Sequence, residues 1–130
     1  MKNTLFVFLF LWLFPACSDD LPVIDTSQLQ QNWTRSREEE TPASPQIYRP
    51  SDYKTFPAAR FREVFQLQED GVCTFWVLAP NDAHYFTTGI WQFNQKKNIL
   101  VIEDQSLDIR YRFKVLELSE NLLRMDIVEP

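Results

Sequence analysis

The stretch Leu107-Asp108-Ile109-Arg110-Tyr111-Arg112-Phe113-Lys114-Val115 decides the fold. Its apolar residues Leu107, Ile109, Tyr111, Phe113 and Val115 alternate with Asp108, Arg110, Arg112 and Lys114. A period of two places one set on a buried face and the other in water, the pattern of a half-buried β-strand. The same reading extends in both directions. Ser119-Glu120-Asn121 forms a turn into Leu122 to Val128, where Leu123, Met125 and Ile127 share a face. Upstream, Ile99 to Ile102 is short and wholly apolar, and it follows the loop Asn94-Gln95-Lys96-Lys97-Asn98. Tyr85 to Phe93 alternates with Tyr85, Thr87, Gly89, Trp91 and Phe93 on one side, after a turn at Pro80-Asn81-Asp82. Val72 to Ala79 is rich in β-branched and aromatic residues, and Glu69-Asp70-Gly71 joins it to the alternating run Phe61 to Gln68. Asp-Gly between two such runs is a strong hairpin signal.

Six strands are thus expected from residue 60 onward, with one or two before it. Connections this short impose antiparallel neighbours, and a one-sided meander of seven or eight strands removes its edges by closing into a barrel. The expected class is all-β, an antiparallel barrel, with a small β-sandwich as the alternative. Trp33 to Glu38 alternates weakly and reads as a first strand. Glu38-Glu39-Glu40 reads as a solvated charge run. Residues 41–57 hold Pro42, Pro45, Pro50 and Pro57, a spacing expected to give a long connection with neither helix nor central strand, packed back through its tyrosines and Phe56.

The N-terminus carries the compartment signal. After Met1-Lys2-Asn3, Thr4 to Phe14 is almost wholly apolar and ends at Pro15-Ala16-Cys17. As a helix this run rises about 16 Å, well short of a ~30 Å bilayer core, so it suits a secretory signal rather than a span. Leu13-Phe14-Pro15-Ala16-Cys17 resembles a bacterial lipoprotein signal, in which a small residue precedes a lipidated cysteine. Ser18-Asp19-Asp20 is similar to the acidic stretch that follows that cysteine in some surface lipoproteins of the Bacteroidota. The resemblance implies a signal peptide at 1–16, acylation of Cys17, and an anchor in the outer membrane of a bacterial cell envelope, facing the periplasm or the surface. Residues 17–32 then read as a flexible tether and 33–130 as the β domain. Loss of residues 1–16 leaves 12 basic side chains against 18 acidic ones, a net charge of −6. Such a chain is held by its lipid rather than adsorbed through basic residues.

Gly89-Ile90-Trp91, a short loop, the apolar strand Ile99–Ile102 and the alternating strand after it resemble the lipocalin-like domains of small bacterial lipoproteins over roughly Trp33 to Val128. The resemblance implies a lipocalin-like barrel fold.

Composition excludes several chemistries. A pI near 4.8 does not suit nucleic-acid binding. One histidine, His84, leaves no His-rich metal site, and two glycines leave no nucleophile elbow, P-loop or dinucleotide fingerprint. Cys73 reads as a buried small hydrophobe, Asp82 with His84 as a capped turn rather than an acid–base dyad, and Arg110, Arg112 and Lys114 as a solvated face. No cofactor is expected. Phe75, Trp76, Phe86, Trp91 and Phe93 supply more aromatic area than a barrel of this size needs for its core. The expected function is a non-catalytic binding or interaction module, membrane-held through Cys17, with an envelope protein or a small apolar ligand as partner. A hydrophobic-ligand carrier is the alternative, and a small hydrolase a third reading.

Overall fold

The structure, a computed structural model, describes residues 15, 20–78, 80–81, 83–104, 106 and 108–128. The signal segment, Cys17, Asp82 and Leu107 lie outside them. Eight antiparallel strands close into a barrel: β1 (Asn32–Arg35), β2 (Gln46–Pro50), β3 (Val64–Leu67), β4 (Val72–Leu78), β5 (His84–Asn94), β6 (Ile99–Asp104), β7 (Ile109–Ser119) and β8 (Leu122–Ile127). From β3 to β8 the chain is a meander. The β1–β2 hairpin completes it with β1 beside β3 and β2 beside β8.

The alternation read from the sequence is the alternation observed. Phe65, Leu67, Cys73, Phe75, Val77, Trp91, Leu100, Ile102, Phe113, Val115, Leu123 and Met125 are buried inside. A register shift between Val115 and Glu117 breaks the period of β7, and after it Leu118 takes the place on the core side opposite Leu123. The turn before Gly71 is a tight one: the Gly71 N–H donates to the Gln68 carbonyl, and Gly71 takes φ +80°, a conformation that costs a residue without Cβ little.

Two expectations are corrected. Residues 41–57 hold a strand paired on both sides, because Pro45 and Pro50 bracket Gln46, Ile47, Tyr48 and Arg49 and leave those four N–H groups free to pair. Pro50, which has no N–H, falls at the end of the strand. The tether read as flexible to residue 32 is packed from Ile24 onward. Thr26–Leu29 forms a 3-10 helix capped by the Asp25 side chain, and Leu29 is fully buried. Trp33, also fully buried, donates its indole N–H to the Leu29 carbonyl at 3.0 Å. This helix stops one end of the barrel, where the turns 68–71, 95–98 and 120–121 gather. The other end is the mouth.

Because β2 ends at the closed end and β3 begins at the mouth, residues 51–63 must cross the outer side of β1. Thr34 and Ser36 are buried as a result, although Thr34 faces outward. The Thr34 hydroxyl meets that of Ser51 at 2.8 Å, and the Arg62 guanidinium donates to the Arg35 carbonyl at 2.8 Å.

Gly89 is the one position where a side chain is excluded by the packing itself. A Cβ there would stand 2.1 Å from the Glu103 carbonyl oxygen on β6 and 3.2 Å from the Phe75 ring. The aromatic ring over this glycine is Phe75. Gly89→Ala should force β5 off β6 and destabilise the fold by about 3 kcal/mol, lowering the melting temperature by about 10 °C. Thermal unfolding followed by circular dichroism checks this, and an unchanged midpoint would mean the two strands are not so closely apposed.

Candidate functional site

Below the level of Phe65 and Phe113 the barrel is filled by its own side chains, and above them it opens into a cup of about 370 Å³. The walls differ in character because each inward position nearer the rim takes a different residue type. On β1, β2 and at the entry to β3 an aromatic residue deep in the barrel is followed, two places nearer the mouth, by a polar one: Trp33 then Arg35, Tyr48 then Gln46, Phe65 then Glu63. On β7 and β8 the inward residues stay apolar to the rim, Phe113 then Tyr111, and Met125 then Ile127.

The floor and apolar wall form one aromatic cluster. Phe65 lies 5.6 Å from Tyr48, 5.7 Å from Phe113 and 6.0 Å from Tyr111, centroid to centroid, and Tyr111 lies 5.8 Å from Phe75. Edge-on contacts dominate, the arrangement that ring quadrupoles favour. Tyr111 and Ile127 remain exposed, so apolar surface is offered to whatever enters the cup.

The polar wall is tightly paired. Arg35 donates from Nε and Nη2 to the two oxygens of Glu40, both at 2.9 Å, and from Nη1 to Glu63 at 2.9 Å. Arg37 reaches both oxygens of Glu63 at 2.6 and 2.8 Å. The Tyr48 hydroxyl donates to Gln46 at 2.9 Å. The hydrogen bond to Glu40 holds Arg35 firmly protonated against the opposing effect of burial. Burial opposes ionisation of Glu40, yet the Arg35 guanidinium and the Ile47 N–H keep its carboxyl below the usual range. Burial raises Tyr48 and Tyr111, with the Glu63 charge adding to both. Arg35 and Arg37 are already paired with Glu40 and Glu63, so this wall offers a guest fixed polar groups beside the aromatic floor.

Behind this wall lies a second ion-pair cluster. Glu39 accepts from Arg49 at 2.7 and 3.0 Å, and Glu38 binds Lys54 at 2.8 Å and Arg62 at 3.0 Å. Lys54 also donates to the buried Ser36 hydroxyl at 2.7 Å. Glu38-Glu39-Glu40, read from sequence as a solvated run, is exposed at Glu38 and Glu39, and those two carboxylates also fasten residues 51–63 over β1.

The remaining sequence candidates do not converge. Cys73 is buried on the inner face of β4, and burial pushes its thiol up to about 11 against a backbone hydrogen bond at Gly89, so it is no thiolate nucleophile at neutral pH. His84 stands in edge contacts with Phe61 and Trp76 at 5.5 and 6.0 Å, and Asp82 lies outside the described residues. Arg110, Arg112 and Lys114 lie along the outer face of β7, with Arg110 3.6 Å from Glu103. Among the described residues no group of three or more His, Cys, Asp or Glu is placed to hold a metal ion, and no helix is long and apolar enough to cross a membrane. Cys17, the expected lipidation site, lies outside the described residues.

No family model matches the chain, and neither a curated protein nor a solved structure shows significant similarity to it.

Sequence reasoning missed Arg35, Gln46 and Glu63 as a wall. The available signal was the spacing of an aromatic and a polar residue two apart in three short segments, which becomes a site only once β1 lies between β2 and β3.

The acidic hub sets a pH dependence. Burial works against ionisation of Glu38, but Lys54 and Arg62 hold it down at about 2; the Arg49 hydrogen bond, offset in part by burial, does the same for Glu39. Both folded values lie below the ordinary 4.5, so their stabilisation is complete above that value and is lost as pH falls through it toward about 2. The melting temperature should be level near neutrality and fall between about pH 5 and pH 2. Glu39→Gln should cost about 1 kcal/mol at neutral pH and flatten the acid limb. Thermal melts across pH test this, and superimposable acid limbs for the two proteins would remove Glu39 from the account.

Proposed function

We propose that this chain is a lipid-anchored protein of the bacterial cell envelope whose barrel binds a small, largely apolar molecule at its mouth, without catalysis. The cup carries the reading. At about 370 Å³ it falls within the range of ligand pockets, and its aromatic floor meets one wall of fixed polar groups that can orient a guest. The Glu40 carboxylate beside it is held ionised by Arg35, which suits recognition and does not suit proton donation. The lipobox-like segment and Cys17 support the anchor, and the strand pattern around Gly89-Ile90-Trp91 supports a lipocalin-like binding barrel.

A second reading, docking on another envelope protein, is favoured by the outer face of β4 and β5. There Phe86 stacks at 4.2 Å on Trp76, which also lines the cup, and Leu78, Phe86 and Ile90 are exposed. The cup is preferred because it joins apolar surface to placed polar groups, whereas the outer face offers apolar surface alone.

Native mass spectrometry of residues 18–130, purified without detergent from a related host, should show a mass excess that disappears on denaturation. Titration with an environment-sensitive apolar fluorophore should saturate at one site. Ile127→Trp, placed on an exposed rim position, should fill the cup and weaken that binding about tenfold, or ~1.4 kcal/mol, with the fold intact. Equal affinity in the variant would move the site elsewhere, and the Trp76–Phe86 face would be the next place to look. Cys17→Ser should abolish acylation and release the protein from the membrane fraction; an unchanged mass and an unchanged fraction would overturn the anchor.

A further inference from the structure

The barrel has two unlike ends, and the N-terminal segment is fastened to only one of them. The Pro22 carbonyl accepts from the Asn98 side chain at 2.9 Å, and the Ile24 carbonyl accepts from Gln95 at 2.8 Å. Ile24 and Leu29 are buried, and Gln31 donates to the Glu120 carbonyl at 3.1 Å. All these contacts lie at the closed end, on the β5–β6 and β7–β8 turns.

From this fastening we infer that the anchored protein stands on the bilayer with its closed end, so that the cup opens away from the membrane into the aqueous compartment. The inference rests on the anchoring at Cys17 proposed above and adds a direction to it. Only Ser18, Asp19, Asp20 and Leu21 separate Cys17 from Pro22, and five Cα-to-Cα steps span at most about 18 Å. The eleven residues of β5, tilted as barrel strands are, rise about 28 Å from the closed end to the rim. The leash is shorter than the barrel is tall, so the cup cannot be inverted onto the surface that holds the lipid. Side-chain exposure agrees. Val23 is 92% exposed and Leu21 is 41% exposed, two apolar side chains flanking Pro22 at the end nearest the anchor, where a headgroup interface would cover them. Charge does not set the direction, because Lys96 and Lys97 share that end with Asp25, Glu69, Asp70 and Glu120. The occupant of the closed end is therefore the bilayer interface itself, and the guest of the cup exchanges with the water phase or with a partner beyond it.

The full-length lipidated chain tests this in phosphatidylethanolamine–phosphatidylglycerol vesicles carrying a headgroup-linked quencher. A fluorophore is attached at Lys97→Cys on the closed end, or at Ile127→Cys on the rim; both positions are exposed. Quenching should be several-fold stronger at the closed end. Equal or reversed quenching in protein that floats with the vesicles would overturn the direction while leaving the anchor standing. A chain that neither floats nor carries acyl mass would remove anchor and direction together. A Gly/Ser insertion of about ten residues between Asp20 and Leu21 should narrow the difference between the two labels. A difference that persists unchanged would overturn the argument from leash length.

Discussion

Closure of this barrel depends on one crossing. β1 is four residues long and must pair with β2 on one side and β3 on the other. That order is attainable only if residues 51–63 pass over its outer face, which would otherwise meet water. The crossing segment carries Pro57 together with Tyr53, Phe56 and Phe61, and the Phe56 ring lies 5.4 Å from both the Lys54 ammonium and the Arg62 guanidinium. Charge fastens it further, with Glu38 on Lys54 and Arg62, and Glu39 on Lys54 and on Arg49 of β2. Exposed pairs of this kind are individually weak. Here they are shielded to about a quarter of full exposure and share the buried Ser36 hydroxyl, so they act as a network rather than as isolated contacts.

The same crossing decides where function can sit. Bringing β1 between β2 and β3 aligns Arg35 with Glu63, and the Arg35 N–H donates to the Glu63 carbonyl at 2.9 Å. A polar wall then faces the aromatic wall of β7, and the interior changes from packed core to cup over the length of two inward residues. Eight strands enclose an interior that side chains can just fill. Space appears at the mouth because the rim residues of β1 to β3 direct their bulk toward one another as ion pairs and leave the axis free.

Most of the strands were legible because alternation is local. The run from Ile109 to Val115 shows its period within itself, and Asp70-Gly71 announces its turn in two residues. The short strand Gln46–Pro50 was not legible, since its prolines argue against pairing and only the barrel shows that they fall outside the ladder it needs. Packing of Ile24 and Leu29 was equally hidden: isolated apolar residues in a polar stretch look like a spacer until the Trp33 and Asn98 side chains are seen to donate to the Leu29 and Pro22 carbonyls. The cup's polar wall needs residues 28 apart in sequence, Arg35 and Glu63, to meet. That is a property of register and not of any segment.

Strand length explains why the cup is lopsided. β5 and β7 run for eleven residues, whereas β1 and β3 run for four, about 36 Å against 13 Å of extended chain. Of the long strands, β7 carries its apolar wall to the rim on backbone alone. On the short side the backbone ladder ends early, and wall height must come from side chains: Phe61, whose ring meets His84, and the Arg35–Glu63–Arg37 pairs. Long charged side chains reach where backbone does not, and their stems still shield the aromatic floor. A guest lying against Tyr111 and Phe113 would therefore face the polar groups of the β1–β3 side, with its polar end turned toward Arg35, Gln46 and Glu63. The asymmetry that lets a four-residue strand close the barrel is thus the asymmetry that gives the cup an orientation.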